Sequence, residues 1–286
     1  MAQTGYTVNL TEQKVQPRDI RMVCLDLDGT LFNENSQITE EGKKQIIRCL
    51  DQGIHVFLVS GRAVEFTYKT ACTVDPRVDS IGFAGAARYV NGQLHGDYLE
   101  QDVTEKILDV LYEENCVTFI KKKNDVYCSH KSDLIIDYEK YTEDQPEDHQ
   151  IHVHENVDLR ELIRTDSGFY KMLIRSRGKL DKMKERLKPF EKDARLFFYQ
   201  FYGNIEAYNK NVDKGAAVVK AAEELGIARD QILGIGDSVN DLPLFEGCGI
   251  KVAMDNAEDS VKEAADYITK SNREDGVAFA LQQLIK

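Results

Sequence analysis

The stretch Met22-Val23-Cys24-Leu25-Asp26-Leu27-Asp28-Gly29-Thr30 decides how this chain is read. Four apolar residues run straight into two carboxylates, a glycine and a hydroxyl. A short apolar run closed in this way suits a central strand of a parallel sheet, buried on both faces. Two further stretches repeat the pattern. Val56-Phe57-Leu58-Val59 ends in Ser60-Gly61-Arg62, and Ile232-Leu233-Gly234-Ile235-Gly236 ends in Asp237-Ser238-Val239-Asn240-Asp241. Ligands of such sheets bind outside the carboxyl ends of the strands. The three polar tips are therefore expected to meet at one edge.

Working outward, strand and helix patterns alternate from about Ile20 to Phe83. Thr39 is the expected N-cap of a helix with apolar positions Ile46, Ile47 and Leu50, stopped near Gly53. Arg88 to Leu94 reads as a hairpin turning at Asn91-Gly92. The α/β rhythm returns with a helix from Lys214 to Leu225, stopped by Gly226, and a further strand at Ile250 to Met254. Between them lie short mixed elements: helices around Ile107 and Met183, and strands near Val117, Val126, Phe169 and Leu196. The expected fold class is α/β, a doubly wound parallel-sheet core with an inserted α+β domain. The core is expected to span 1–97 and 208–286, and the insertion 98–207. Residues 1–19 are mostly polar, lack an apolar signal core, and are expected to form a surface arm or partly disordered tail.

Composition narrows the function classes. A net charge of -12 over 286 residues argues against nucleic-acid and anionic-membrane partners. No apolar run approaches the length of a membrane span. The six cysteines show no framework spacing, so a reduced, cytoplasmic setting is expected.

The polar tips fit one chemistry. Of Asp26 and Asp28, one carboxylate can attack phosphorus and the other can protonate the leaving oxygen and then activate water. Two roles require two environments. Asp28 is expected to keep its proton more readily, oriented by the Thr30 hydroxyl. Backbone N–H groups around Gly29 can donate to phosphate oxygens held in a nest, and the Ser60 hydroxyl and Gly61 N–H can donate to the same oxygens. A divalent cation would cancel the repulsion between carboxylate and phosphate, and oxygen ligands favour magnesium. Asp237 is the natural third-strand ligand, with Asn240 and Asp241 completing or orienting its surroundings. Lys214 offers fixed positive charge. Arg62 is open between contacting substrate and capping a structural carboxylate. A calcium loop is disfavoured because Leu31 and Phe32 follow at once. His149, His152 and His154 read as a solvated polar face rather than a metal site, and Lys121 to Lys123 as a strand end. Phe197, Phe198, Tyr199, Phe201 and Tyr202 read as packing of the inserted domain and its hinge.

On these residues the chain resembles the haloacid dehalogenase superfamily of aspartate-nucleophile phosphohydrolases. Within it, the Cof-type branch with a large α/β cap (type IIB) is the nearest likeness. The four motifs stand at Asp26 to Thr30, Ser60, Lys214, and Asp237 to Asp241. The tail stretches Val252 to Ala257 and Glu274 to Ala278 also look typical. The resemblance implies a Rossmann-like core with the cap between the second and third motifs. It implies Asp26 as nucleophile, Asp28 as acid/base, and Mg²⁺ held by Asp26, the Asp28 carbonyl and Asp237, with Asp241 as further ligand or support. A small phosphorylated metabolite, most plainly a sugar phosphate, is the implied substrate, with the cap setting selectivity. The chain is expected to be a monomer or homodimer. Two other outcomes stay open: a phosphomutase or phosphotransferase acting on hexose phosphates, and a catalytically silent phospho-ligand binder. One departure stands out. Ala84-Gly85-Ala86 replaces the Asn-Gly-Ala frequent in this branch, removing a polar contact near the phosphate or leaving group.

Overall fold

The computed structural model describes residues 7–13, 15–130, 150–200 and 203–286. His149, Phe201 and Tyr202 lie outside the described residues. By its internal contacts the chain divides into two compact units, Met1–His95 with Asp213–Lys286, and Gly96–Val212.

The first part of the chain supplies strands β1 (Val8–Asn9), β2 (Met22–Asp26), β3 (His55–Val59), β4 (Asp79–Gly82), β5 (Ala87–Val90) and β6 (Gln93–Gly96). The second unit supplies β7 (Val117–Lys122), β8 (Asp125–Cys128), β9 (His152–His154), β10 (Lys171–Arg175), β11 (Ala194–Tyr199) and β12 (Asn204–Asn209). The return supplies β13 (Ile232–Gly236), β14 (Ile250–Ala253) and β15 (Tyr267–Ile268).

The large sheet has the order β1-β15-β14-β13-β2-β3-β4-β5-β6. From β1 to β4 its pairings are parallel, and β5 joins β4 antiparallel. Beyond β2 the chain moves outward through β3 and β4; on its return it moves outward the other way through β14 and β15. The strand order therefore reverses between β2 and β13, the switch point where such sheets bind ligands. Every residue of β2 and β13 is buried. Met22, Leu25, Phe57 and Leu58 are among the largest fully buried side chains, each contributing about 1.5–3 kcal/mol through burial.

Helix signals in the sequence are met closely. Thr39 Oγ1 accepts from Gly42 N–H at 3.0 Å and starts the helix Glu40–Asp51. The helix Lys214–Leu225 begins at Asp213, whose side chain accepts from Ala216 N–H at 2.7 Å, and ends at Gly226 in the left-handed region. The turn at Asn91-Gly92 joins β5 to β6, both residues at positive φ.

Among the described residues of the expected N-terminal arm, several are tied to the core. Val8 and Asn9 pair in parallel with Tyr267 and Ile268, Leu10 is buried, and Arg18 N–H donates to Leu284 O at 2.9 Å. A strand of two residues leaves no period in the sequence to find it by.

The second unit is a six-stranded sheet, β11-β12-β10-β7-β8-β9. Its helices Gln101–Glu113, Leu159–Thr165 and Leu180–Leu187 share one core with Ile120, Met172, Ile174, Ile205 and Ala207. Alternate residues carry a different set: Lys171 and Glu206 form a buried ion pair, and Tyr208 O–H donates to Glu206 at 2.7 Å. Phe198 packs with the helical core, whereas Phe197 meets Tyr208 edge-on. His154 pairs with Asp125 at 2.7 Å and stacks on Tyr127. Among the described residues, the one cluster of carboxylates, His or Cys close enough to hold a metal lies elsewhere, at Asp26, Asp237 and Asp241. No helix among the described residues is long and apolar enough to cross a membrane.

Candidate active site

Neighbouring strands β2 and β13 end in Asp26 and Asp237. Beyond Asp26 the chain makes one wide turn, Leu27–Leu31, closed by Phe32 N–H donating to Leu27 O at 2.8 Å. Gly29 makes that turn possible. Its φ is +85°, and a Cβ there would lie 2.3 Å from Asp237 Oδ2. The first motif can thus press directly against the last. Gly236 plays the matching part, since a Cβ there would lie 2.6 Å from Asp241 Cβ.

Lys214, the first residue of its helix, sends its ammonium into this junction. Nζ donates to Asp26 Oδ1 and Asp241 Oδ1, each at 2.6 Å, and to Asn240 Oδ1 at 3.2 Å. Lys214, Asp26 and Asp241 are 3%, 5% and 0% exposed, so the pairing takes place in a desolvated setting where charge imbalance matters. Asp241 Oδ2 also accepts from the N–H groups of Asp237 and Ser238, at 3.1 and 3.2 Å. Asp241 therefore holds both the lysine and the β13 turn.

Carboxylate oxygens of Asp26, Asp237 and Asp241 all lie within 4.8 Å of one another. One ammonium faces three carboxylates. Burial, followed by the Asp241 charge, pushes the Asp26 carboxyl well above its usual range despite Lys214. Burial and Asp241 likewise raise Asp237 to about 6. Burial pulls Lys214 down, but Asp26 and Asp241 together raise it above its ordinary value. The competing directions agree on one point: charge at Lys214 is favoured, and negative charge at Asp26 and Asp237 is disfavoured. An all-oxygen donor set short of positive charge fits a hard divalent cation such as Mg²⁺.

The remaining expected site residues take definite places. Thr30 Oγ1 donates to Asp237 Oδ1 at 2.8 Å, so the expected Thr30–Asp28 contact is replaced by a tie between the first and last motifs. Asp28 has backbone angles of φ -79° and ψ 114° and stands outside the carboxylate cluster, exposed. Both its oxygens accept from Arg62, Nε to Oδ2 at 2.8 Å and Nη2 to Oδ1 at 2.7 Å. Ser60 is buried at the end of β3, and its Oγ accepts from Arg62 N–H at 3.2 Å; Gly61 and Asn240 are exposed.

The segment after β4 is unusual. Phe83, Ala84 and Gly85 all have positive φ, at 49°, 55° and 108°. Phe83 N–H donates to Arg62 O at 2.6 Å and Ala84 N–H to Ser60 O at 3.0 Å. The strained backbone is thus pinned to the second motif.

Two residues escaped the sequence reading. Asn256 Nδ2 donates to Gly29 O at 2.8 Å, and Asn272 Nδ2 donates to Phe32 O at 2.9 Å. Asn272 N–H in turn donates to Asn256 Oδ1 at 2.9 Å. Together they tie down both sides of the first-motif turn. The available signal was Met254-Asp255-Asn256 following the apolar strand β14, a fourth polar tip on the same sheet edge.

Comparison with known proteins agrees with this arrangement. Residues 23–281 match the family model described as haloacid dehalogenase-like hydrolase. The chain belongs to that family. It is 30% identical to the 5-amino-6-(5-phospho-D-ribitylamino)uracil phosphatase YwtE of Bacillus subtilis (strain 168), over 93% of this chain and 98% of that protein. It is 24% identical to a phosphoglycolate phosphatase of Methanobrevibacter smithii, over 93% of this chain and 99% of that protein. The crystal structure of TM0651 from Thermotoga maritima superposes with a TM-score of 0.80 at 28% identity, covering 93% of this chain and 98% of that one.

Proposed function

We propose that this protein is a Mg²⁺-dependent phosphatase of small phosphorylated metabolites, sugar phosphates foremost, working through an aspartyl-phosphate on Asp26. The observation that carries the reading is the buried cluster of Asp26, Asp237 and Asp241 around Lys214. The phosphatase names borne by the relatives support it.

Asp26 attacks phosphorus while the bond to the leaving oxygen breaks, and that oxygen takes a proton from Asp28. Asp28, now a carboxylate, then takes a proton from water as the water oxygen attacks the same phosphorus. The Asp26–phosphorus linkage breaks with its electron pair returning to Asp26. The sum is ester plus water giving alcohol plus phosphate. Lys214 holds Asp26 in place and balances charge on the transferring group. Ser60, Gly61 and the Gly29–Thr30 amides face the phosphate oxygens, with Asn240 and Arg62 nearby. Asp26, the Asp28 carbonyl and Asp237 would hold Mg²⁺, with Asp241 orienting Lys214 and the β13 turn. Bound there, the ion supplies the positive charge that offsets repulsion between Asp26 and the phosphate. The inserted unit, residues 98–207, is assigned the role of a cap that selects the leaving group.

The test is phosphate release from 4-nitrophenyl phosphate and from a panel of sugar phosphates, with and without Mg²⁺. Turnover is expected only with the ion, and free phosphate rather than an isomerised sugar phosphate is the expected product. Asp26→Asn should abolish it in a protein that still folds. Retained turnover in that variant would remove Asp26 from its role.

A further inference from the structure

Resting on the phosphatase reading, we infer that Arg62 is a positioning residue that acts through Asp28, rather than a binder of the substrate phosphate. The Arg62 guanidinium is committed. It spans both Asp28 oxygens at 2.7 and 2.8 Å. It also stands over two rings, 4.7 Å from the Phe66 centroid and 5.7 Å from that of Phe32. Its backbone is held as well, through Ser60 Oγ on the N–H and Phe83 N–H on the carbonyl. An arginine fixed at the backbone, the ring face and its Nε–Nη2 edge has little freedom to swing toward an arriving phosphate.

Asp28 depends on this partner. It is half-exposed, and its backbone is extended rather than helical. A fork of two parallel N–H donors fixes a carboxylate in one plane. The water step needs that placement, because Asp28 must then receive a proton from the attacking water. The first step calls on Asp28 as the acid. With a good leaving group, however, it needs little help from an acid. Arg62 therefore serves hydrolysis of the phosphoenzyme more than its formation.

The two steps separate kinetically. Arg62→Gln keeps two N–H donors but loses the charge and the fork. With 4-nitrophenyl phosphate and Mg²⁺, stopped-flow measurement should show a nitrophenolate burst stoichiometric with enzyme, followed by a slow steady state. In that variant kcat should fall about 10–100-fold, the scale of misplacing an acid/base group. KM should fall in step, leaving kcat/KM little changed, because the phosphoenzyme accumulates. Arg62→Lys, which cannot span both oxygens, should show a smaller burst and an intermediate kcat. The double variant Arg62→Gln/Asp28→Asn should be no slower than Asp28→Asn alone.

A rise in KM with no burst would make Arg62 a phosphate binder and overturn the inference. So would a fall in kcat at constant KM without a burst, the mark of a damaged fold. A wild-type protein that releases no nitrophenolate would overturn both this inference and the phosphatase reading, so the two failures are told apart.

Discussion

Lys214 Nζ lies 2.6 Å from Asp26 Oδ1, joining a strand end to a helix start 188 residues away. The same ammonium serves Asp241 at equal distance. Lys214→Met would leave both carboxylates buried without a charge partner. Breaking a buried pair costs about 3–5 kcal/mol. Chemical denaturation should report a loss on that scale, and turnover should fall below detection. A variant with wild-type stability would show that the pairing carries little energy.

The close approach of Gly29 to Asp237 gives a second prediction. Gly29→Ala combines a disfavoured φ of +85° with a Cβ 2.3 Å from Asp237 Oδ2. The turn or the carboxylate must move. Stability should drop by about 1–3 kcal/mol, and Mg²⁺ affinity measured by calorimetry should fall at least tenfold. Unchanged affinity would mean that Asp237 can shift without losing the ion.

Ala84 predicts the opposite sign. Its φ of 55° is left-handed, a region that costs most side chains about 1–2 kcal/mol and that Asn visits more readily. Ala84→Asn should raise stability by roughly 0.5–1 kcal/mol in urea titration. A neutral or destabilised variant would mean that the Asn side chain meets an obstacle the backbone angles do not reveal.

The carboxyls give a pH dependence. Asp237 is raised by burial and Asp241 from 3.8 to about 6, so the folded state holds its proton more tightly than the unfolded chain does. Without metal, the stability from this group is complete below 3.8 and is lost as pH rises through about 6. Asp26, raised chiefly by burial, acts in the same direction. Mg²⁺ requires the ionised forms, so its affinity should weaken as pH falls through about 6. The melting point in chelator should therefore rise as pH falls toward 5, and the stabilisation by Mg²⁺ should be largest near pH 7–8. A chelated protein whose melting point is flat between pH 5 and 7 would contradict the shift.

The places where sequence reading succeeded and failed have physical causes. Met22 to Asp26 and Ile232 to Asp237 were legible because full burial leaves an unbroken apolar run and the ligand edge leaves an abrupt polar stop. Thr39 and Gly226 marked their helix ends because caps follow local rules. The partner of Thr30 was not legible: its hydroxyl lies near Asp28 in sequence but bonds Asp237 across the switch point. Arg62 was equally ambiguous, since a guanidinium signals an anion without saying which one. β12 was overlooked because Asn204, Glu206 and Asn209 read as loop polarity, whereas Glu206 turns its charge to the buried Lys171. The buried charge disguised an interior position as a surface one.

The boundary between the two units falls immediately before Asp213, and the cap of the Lys214 helix is that same residue. The segment 96–212 therefore hands the chain back with no slack before the ammonium that Asp26 needs. Grafting the insertion of one relative into another would have to keep the downstream splice upstream of Asp213 and in frame with the helix start. A graft joined even one residue late would take residue 213 from the donor and, with the same cut, replace the cap of the helix that carries the recipient's own lysine.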